Sequence, residues 1–305
     1  MIKIINPNQS ITKTIQKLNP NDTLILEDGI YHEKVEVWTK NITIKAKNPH
    51  KAIISNKDYY HKIMPNHNEC NTFGTYTLLI GADNIVLEDI QIQNEATPST
   101  IYGQAVALHV LGNHFFCSNC IIKGAQDTLF TGPLPKDLIQ RYTGFYEERK
   151  LSHAPSIQHY QNCFIYGDVD FIFGCATALF ENCEIISLHQ SEQKLSYICA
   201  PAHDKDTPYG YLFYNCTLKS SSPTYLARPW RDYGCAAFID CKMDNHILPE
   251  GFNKWNGTDR DKTARFYEYT SNHTAKNRVA WCNQLNESEA LKYVKDFKEY
   301  IHTKI

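Results

Sequence analysis

The sequence predicts an all-β fold of one kind, a single-stranded parallel β-helix with short helices at its ends. Three observations carry it. Short β-branched and aromatic runs recur along the 305 residues with no amphipathic helix between them. Several of these runs follow an Asn-Cys or Asp-Cys pair, so a unit repeats with insertions of variable length. No linker divides the chain. The stretches at 131–156, 201–210 and 219–224 read as loops thrown out from one continuous scaffold, so residues 1–305 are taken as a single domain.

The elements follow in order. Residues 10–18, Ser-Ile-Thr-Lys-Thr-Ile-Gln-Lys-Leu, form a short helix that covers the first coil. Cysteine-free versions of the repeat begin at Asn41-Ile42-Thr43-Ile44 and Asn84-Ile85-Val86-Leu87. Five cysteine versions follow, at Asn119-Cys120, Asn162-Cys163, Asn182-Cys183, Asn215-Cys216 and Asp240-Cys241, spaced by 43, 20, 33 and 25 residues. An inward cysteine acts as a small hydrophobe, and the Asn before it tolerates the left-handed backbone of a corner. Cys117-Ser118-Asn119-Cys120 is a CxxC without a second pair at zinc spacing. In one strand its two sulfurs would face opposite ways. His67-Asn68-Glu69-Cys70 reads as a solvated loop. Near the end, Asn286 to Glu289 forms a capping box, and Ala290, Val294, Phe297 and Ile301 fall on one face of a helix over about 286–302, read as a cap on the solenoid end.

Composition narrows the function classes. The chain is 42% apolar and 21% charged, enough for a sizeable core. Its 31 basic and 33 acidic residues give a formal net charge of -2, so no global field favours nucleic acid or an anionic membrane. The start, Met1 to Pro7, lacks the apolar run and cleavage site of a secretory signal, and no stretch approaches the ~18 apolar residues of a membrane span. The eleven cysteines are then expected to be reduced thiols in a cytoplasm.

Two acids stand in apolar, β-prone segments: Asp127 in Gly124-Ala125-Gln126-Asp127-Thr128-Leu129, and Asp170 in Gly167-Asp168-Val169-Asp170-Phe171-Ile172. A buried carboxyl must be paired, hydrogen-bonded or protonated. Such a pair suits acid/base or nucleophilic work, and it equally suits two satisfied acids in turns. Two further segments complete a pattern, Tyr102-Gly103-Gln104-Ala105-Val106 and Tyr225-Leu226-Ala227-Arg228-Pro229-Trp230.

In this order the four segments resemble the pectin methylesterases (carbohydrate esterase family 8). Pro249 to Trp255 and Phe266 to Tyr269 look like that family's C-terminal signatures. The resemblance spans about residues 20–282 and implies a right-handed β-helix that removes methyl esters from galacturonate units. It implies that Asp170 is the nucleophile, Asp127 the general acid/base, Gln104 and Gln126 the oxyanion-stabilising amides, and Arg228 the residue that orients Asp170 and meets the sugar. Thr77, Trp230 and Trp255 are implied substrate contacts. No cofactor or metal is expected. The implied partner is methylated homogalacturonan or an oligogalacturonide, bound by a monomer, with no nucleic acid or membrane.

Three departures stand out. Ala227 replaces the usual glycine before Arg-Pro-Trp, and Ala125 stands where many relatives carry an aromatic. Asp127 and Asp170 are 43 residues apart, so residues 131–156, with Tyr142, Phe145, Tyr146 and His153, read as an insertion over the cleft that favours short oligomers. A lyase or polygalacturonase is disfavoured because the motif sites hold no dense acidic cluster. A sugar-binding β-helix without activity has no need of two acids and two glutamines. An esterase of the same machinery acting on another acyl ester remains the alternative.

Overall fold

A computed structural model describes residues 1–65, 67–142, 154–188, 195–243, 245–270 and 277–303. Phe145, Tyr146 and His153 of the insertion lie outside the described residues. The strands form three sheets, of 11, 7 and 8 strands, and the strand–strand pairings within them are parallel in register. Through the middle of the stack each turn of chain contributes one strand to each sheet before the next turn stacks on it, about 4.8 Å along the axis. This is the parallel β-helix that the repeat predicts.

Alternation places one set of side chains inside, and register stacks like on like. In the 8-stranded sheet the inward file runs Tyr31, Ile54, Ile92, Ile122, Ile165, Ile185, Leu218. In the 11-stranded sheet it runs Leu24, Ile44, Leu87, Cys117, Tyr160, Phe180, Phe213, Phe238, Glu268. Phe180, Phe213 and Phe238 lie nearly parallel, with centroids 4.6 and 4.5 Å apart. Glu268 ends the file, buried, and Arg278 holds both its oxygens at 2.6 and 2.8 Å. A buried carboxylate at the open end of a core needs such a bidentate partner.

The corners explain the Asn-Cys repeat. Asn41, Asn84, Asn119, Asn162, Asn182, Asn215 and Asp240 all have φ between 49° and 58°. Apart from glycine, short polar side chains enter this left-handed region at the lowest cost, and they hydrogen-bond to one another up the stack: Asn84 donates to Asn41 at 2.7 Å and Asn215 to Asn182 at 2.6 Å. The following cysteines, 120, 163, 183, 216 and 241, are buried and unbridged. Cys117 and Cys120 correct the expectation of opposed sulfurs. The corner at Asn119 reverses the alternation between them, so both face the core.

The short helix Ile11–Ile15 buries Ile11 and Ile15 in the main core at the N-terminal end, and Ser10 caps it by accepting from the Lys13 amide. The C-terminal helix, Glu287–Thr303, has the expected box: Asn286 accepts from the Glu289 amide, and Glu289 accepts from the Asn286 amide. What this helix covers differs from expectation. Ala290, Val294, Phe297 and Ile301 pack on Ile157, Leu179, Leu212, Ala237 and Ile239, on the outer face of the 11-stranded sheet. Those outward residues are apolar and need a cover. The end of the coil stack is filled instead by Trp281, packed on Phe252 and Phe266.

Truncating Phe213 to alanine removes the centre of the ring file and leaves a cavity between rigid coils. We expect a loss of about 3–5 kcal/mol, read as a lower urea midpoint at unchanged slope.

Candidate active site

The outward face of the 7-stranded sheet carries the file Glu36, Leu79, His109, Phe130, Phe173, Ala200. Phe73, Leu134, Leu138 and Trp230 pack over its aromatic part. A cleft of about 470 Å³ opens there, with Gln104, Gln126, Asp127, Asp170, Arg228, Trp230 and Trp255 in its walls. Seven of the eight residues given roles from sequence thus line one cleft.

The scaffold brings these residues together through neighbouring coils. Gln104 and Gln126 pair as a parallel bridge, and the Ala105 amide donates to the Gln126 carbonyl at 3.1 Å. The Asp127 amide donates to the Val169 carbonyl at 3.1 Å, tying its coil to that of Asp170. The Arg228 amide bonds to Cys199, one coil further on.

Local backbone decides where Asp170 points. In Val169–Gly174 strict alternation puts Asp170 and Ile172 on the same face, and Ile172 is in the core. The register shifts between Val169 and Ile172, and Asp170 takes φ 49°. This bulge sends Phe171 and Ile172 inward and leaves Asp170 in the cleft. Asp127 also has positive φ, 62°. Aspartate tolerates this conformation, at a cost that clusters at functional sites.

Electrostatics separates the two acids. Arg228 binds Asp170 through two parallel bonds, Nε to Oδ1 at 2.8 Å and Nη2 to Oδ2 at 2.6 Å. Its guanidinium lies between the rings of Tyr197 and Trp255, 3.9 and 4.2 Å from their centroids. Burial lifts the Asp170 carboxyl, and the hydrogen bonds and charge of Arg228 oppose that lift. Asp127 is lifted well above the carboxylate range, first by burial and then by the Asp170 anion. Of the pair, Asp170 is therefore the ionised member and Asp127 the protonated one. The arrangement offers a held carboxylate, a neutral acid and two amide groups beside one cavity.

Thr77 is corrected. It is fully buried, and its hydroxyl donates to the Gln93 carbonyl at 2.9 Å, so it faces away from the cleft. Thr72, on the short helix Thr72–Gly74, lines the cleft instead. Ala227 does not disturb Arg228, because its methyl points into the core. Sequence reasoning missed Tyr197, which lies in a plain strand with nothing to mark its stacking role. It also missed Arg231, whose place directly after Trp230 was the available signal. Arg231 lies over the Trp230 ring at 4.6 Å and binds Asp137 at 3.1 and 2.7 Å. Asp137 belongs to the helix Lys136–Tyr142 within the insertion, whose Leu138, Arg141 and Tyr142 form a wall of the cleft.

The raised pKa of Asp127 has a consequence for stability. Above the ordinary carboxylate pKa of about 4 the unfolded chain releases a proton that the folded chain keeps, so stability falls as pH rises until Asp127 ionises. Asp127→Asn removes this penalty. We expect the variant to melt higher than the parent at pH 8, and the gap to close near pH 3.

The family model described as pectinesterase matches residues 4–135 and 144–303. Probable pectinesterase/pectinesterase inhibitor 13 of Arabidopsis thaliana is 29% identical over 94% of this chain and 45% of its own length. Pectinesterase 31 of the same plant is 28% identical over 94% of this chain and 83% of its own. The chain thus spans about half the length of several relatives it matches. Among solved structures, the pectin methylesterase of Yersinia enterocolitica is 26% identical, with a TM-score of 0.76 over 93% of this chain and 96% of its own. A pectin methylesterase in complex with a hexasaccharide, 23% identical, shares the right-handed β-helix at a TM-score of 0.74 over 93% of this chain and 91% of its own. The family match covers nearly the whole of this chain, which therefore belongs to the pectinesterase family.

Proposed function

We propose that the protein hydrolyses methyl esters of galacturonate units in pectin or its oligomers, giving methanol and free carboxylates. One observation carries the reading: an arginine-held, ionised Asp170 beside a buried, protonated Asp127 in a cleft that also holds two glutamine amides.

The chemistry follows from those states. Asp170 attacks the ester carbonyl carbon, and Arg228 keeps its charge and aim. The carbonyl oxygen becomes an oxyanion, which the side-chain amides of Gln104 and Gln126 stabilise. Methoxide is a poor leaving group, so Asp127 gives its proton and methanol departs. The acyl-enzyme is an anhydride on Asp170. Water attacks it, Asp127 takes a proton from that water, and the free acid and Asp170 are restored. Trp230 and Trp255 offer ring faces to the sugar. Trp255 has a second task, since it also stacks on Arg228.

The substrate is read as a short methylated oligogalacturonide. The support is the helix Lys136–Tyr142, which stands as a wall of the cleft and is pinned by Arg231 to the platform residue Trp230. Eleven unbridged cysteines are consistent with a reducing compartment, the cytoplasm. Equal turnover on long polymer and on short oligomers would sink the length preference.

Methanol release from methylated oligogalacturonides is expected for the parent and abolished in Asp170→Ala. A fully active Asp170→Ala would refute the mechanism. Gln126→Ala should lose about 10²–10³ in kcat, the usual cost of an oxyanion donor. The pH profile of kcat/KM should be a bell. Its acid limb reports protonation of Asp170, and its alkaline limb the loss of the Asp127 proton, above the normal carboxylate range.

A further inference from the structure

The short helix Ser99–Tyr102 stands just before Gln104, in the connection between the strands Gln91–Asn94 and Leu108–Val110. None of its four residues is buried, and Ile101 is 72% exposed. Burial of apolar surface therefore does little to fix it, and so short a helix does not hold itself. Gly103 follows with φ 69°, and among the described residues nothing lies within 4 Å of the position a Cβ would take there. The chain thus enters the cleft at Gln104 from a turn that packing leaves unbraced.

A polar contact supplies the hold. Ser99 Oγ donates to Asp168 Oδ2 at 2.6 Å, and Asp168 Oδ1 accepts from the Val169 amide at 2.6 Å. A hydroxyl this close to a carboxylate oxygen makes a charge-assisted bond, about twice as strong as a neutral one. Asp168 is buried, and its backbone is tied on both sides. Its amide donates to the Ala125 carbonyl at 3.0 Å, and its carbonyl accepts from the Tyr197 amide at 3.1 Å. It stands two residues before Asp170, so its side chain reaches past the coil of Asp127 and joins the Ser99 turn to the Asp170 strand. Ser99 passes the hold on, because its carbonyl accepts from the Gly103 amide at 2.8 Å.

We propose that Asp168 is a positioning residue: through Ser99 it anchors the turn before Gln104, and so sets one oxyanion donor against the strand that carries Asp170. The inference rests on the esterase reading above. An oxyanion donor works only from about 3 Å, and a displacement of about 1 Å can cost a hundredfold in rate. Neither Ser99 nor Asp168 is among the residues that line the cleft, so the pair acts through Gln104 and not on the sugar.

The test is a double-mutant cycle on methanol release from methylated oligogalacturonides. Ser99 is the half to alter. It is half-buried, and its loss leaves in place the Asp168 charge, which also raises Asp127. Ser99→Ala should lower kcat about ten- to a hundredfold with KM little changed, and Ser99→Thr, which keeps the hydroxyl, should retain most of the parent rate. In a Gln104→Ala background, Ser99→Ala should cost almost nothing more, because the donor it positions is gone. A bond that served stability alone would show no such coupling. An unchanged kcat in Ser99→Ala, or equal losses with and without Gln104, would overturn the assignment while methanol release by the parent upheld the esterase. No methanol from the parent would overturn the esterase reading and the assignment with it.

Discussion

The parallel register is the constraint on which everything else in this molecule depends. Each coil must place its strands on those of the coil before it, about 4.8 Å further along. Once the inward file is apolar, every coil is fixed against sliding, because a one-residue slip would turn each core side chain outward. Residues as distant as Gln104, Asp127, Asp170 and Arg228 then meet without any long-range contact designed for the purpose. Backbone bonds between successive coils, such as Asp127 to Val169 and Arg228 to Cys199, set their spacing.

That rigidity lets the site hold two like groups in unlike states. The arginine gives its hydrogen bonds to one acid, held there by two short bonds and two aromatic faces. On the other acid, burial and the neighbouring carboxylate outweigh the opposing charge of Arg228. A looser scaffold would relax the difference by letting water or the arginine reach Asp127. The same logic governs the far end of the core, where Arg278 holds Glu268. There the pair closes a hydrophobic file, whereas at the cleft it is open to a substrate.

The insertion changes the walls of the cleft and leaves the two acids and two amides in place. Its described helix adds no acid or amide to the reacting centre. It adds a wall, and its attachments run through Arg231, directly next to a motif residue. The shape of the cleft can thus be altered by loops while the coil that holds Asp170 stays as it is.

The repeat, the corners and the four motif segments could all be read from the chain, because each is a local pattern. Asn-Cys marks a left-handed corner followed by an inward thiol wherever it occurs, and the identity of Asp170, Asp127, Gln104, Gln126 and Arg228 needed no coordinates. What the sequence could not decide were matters of direction. Asp170 faces the cleft only because a bulge breaks the alternation that would have paired it with Ile172. Thr77 faces inward although its neighbourhood resembles a substrate contact. Cys117 and Cys120 share a side because a corner falls between them. The C-terminal helix covers a sheet face, because outward apolar residues on several coils form one patch only after stacking. Residue type and spacing are properties of the chain. The side to which a residue points depends on bulges, corners and register, and these are settled only when neighbouring coils compete for the same core.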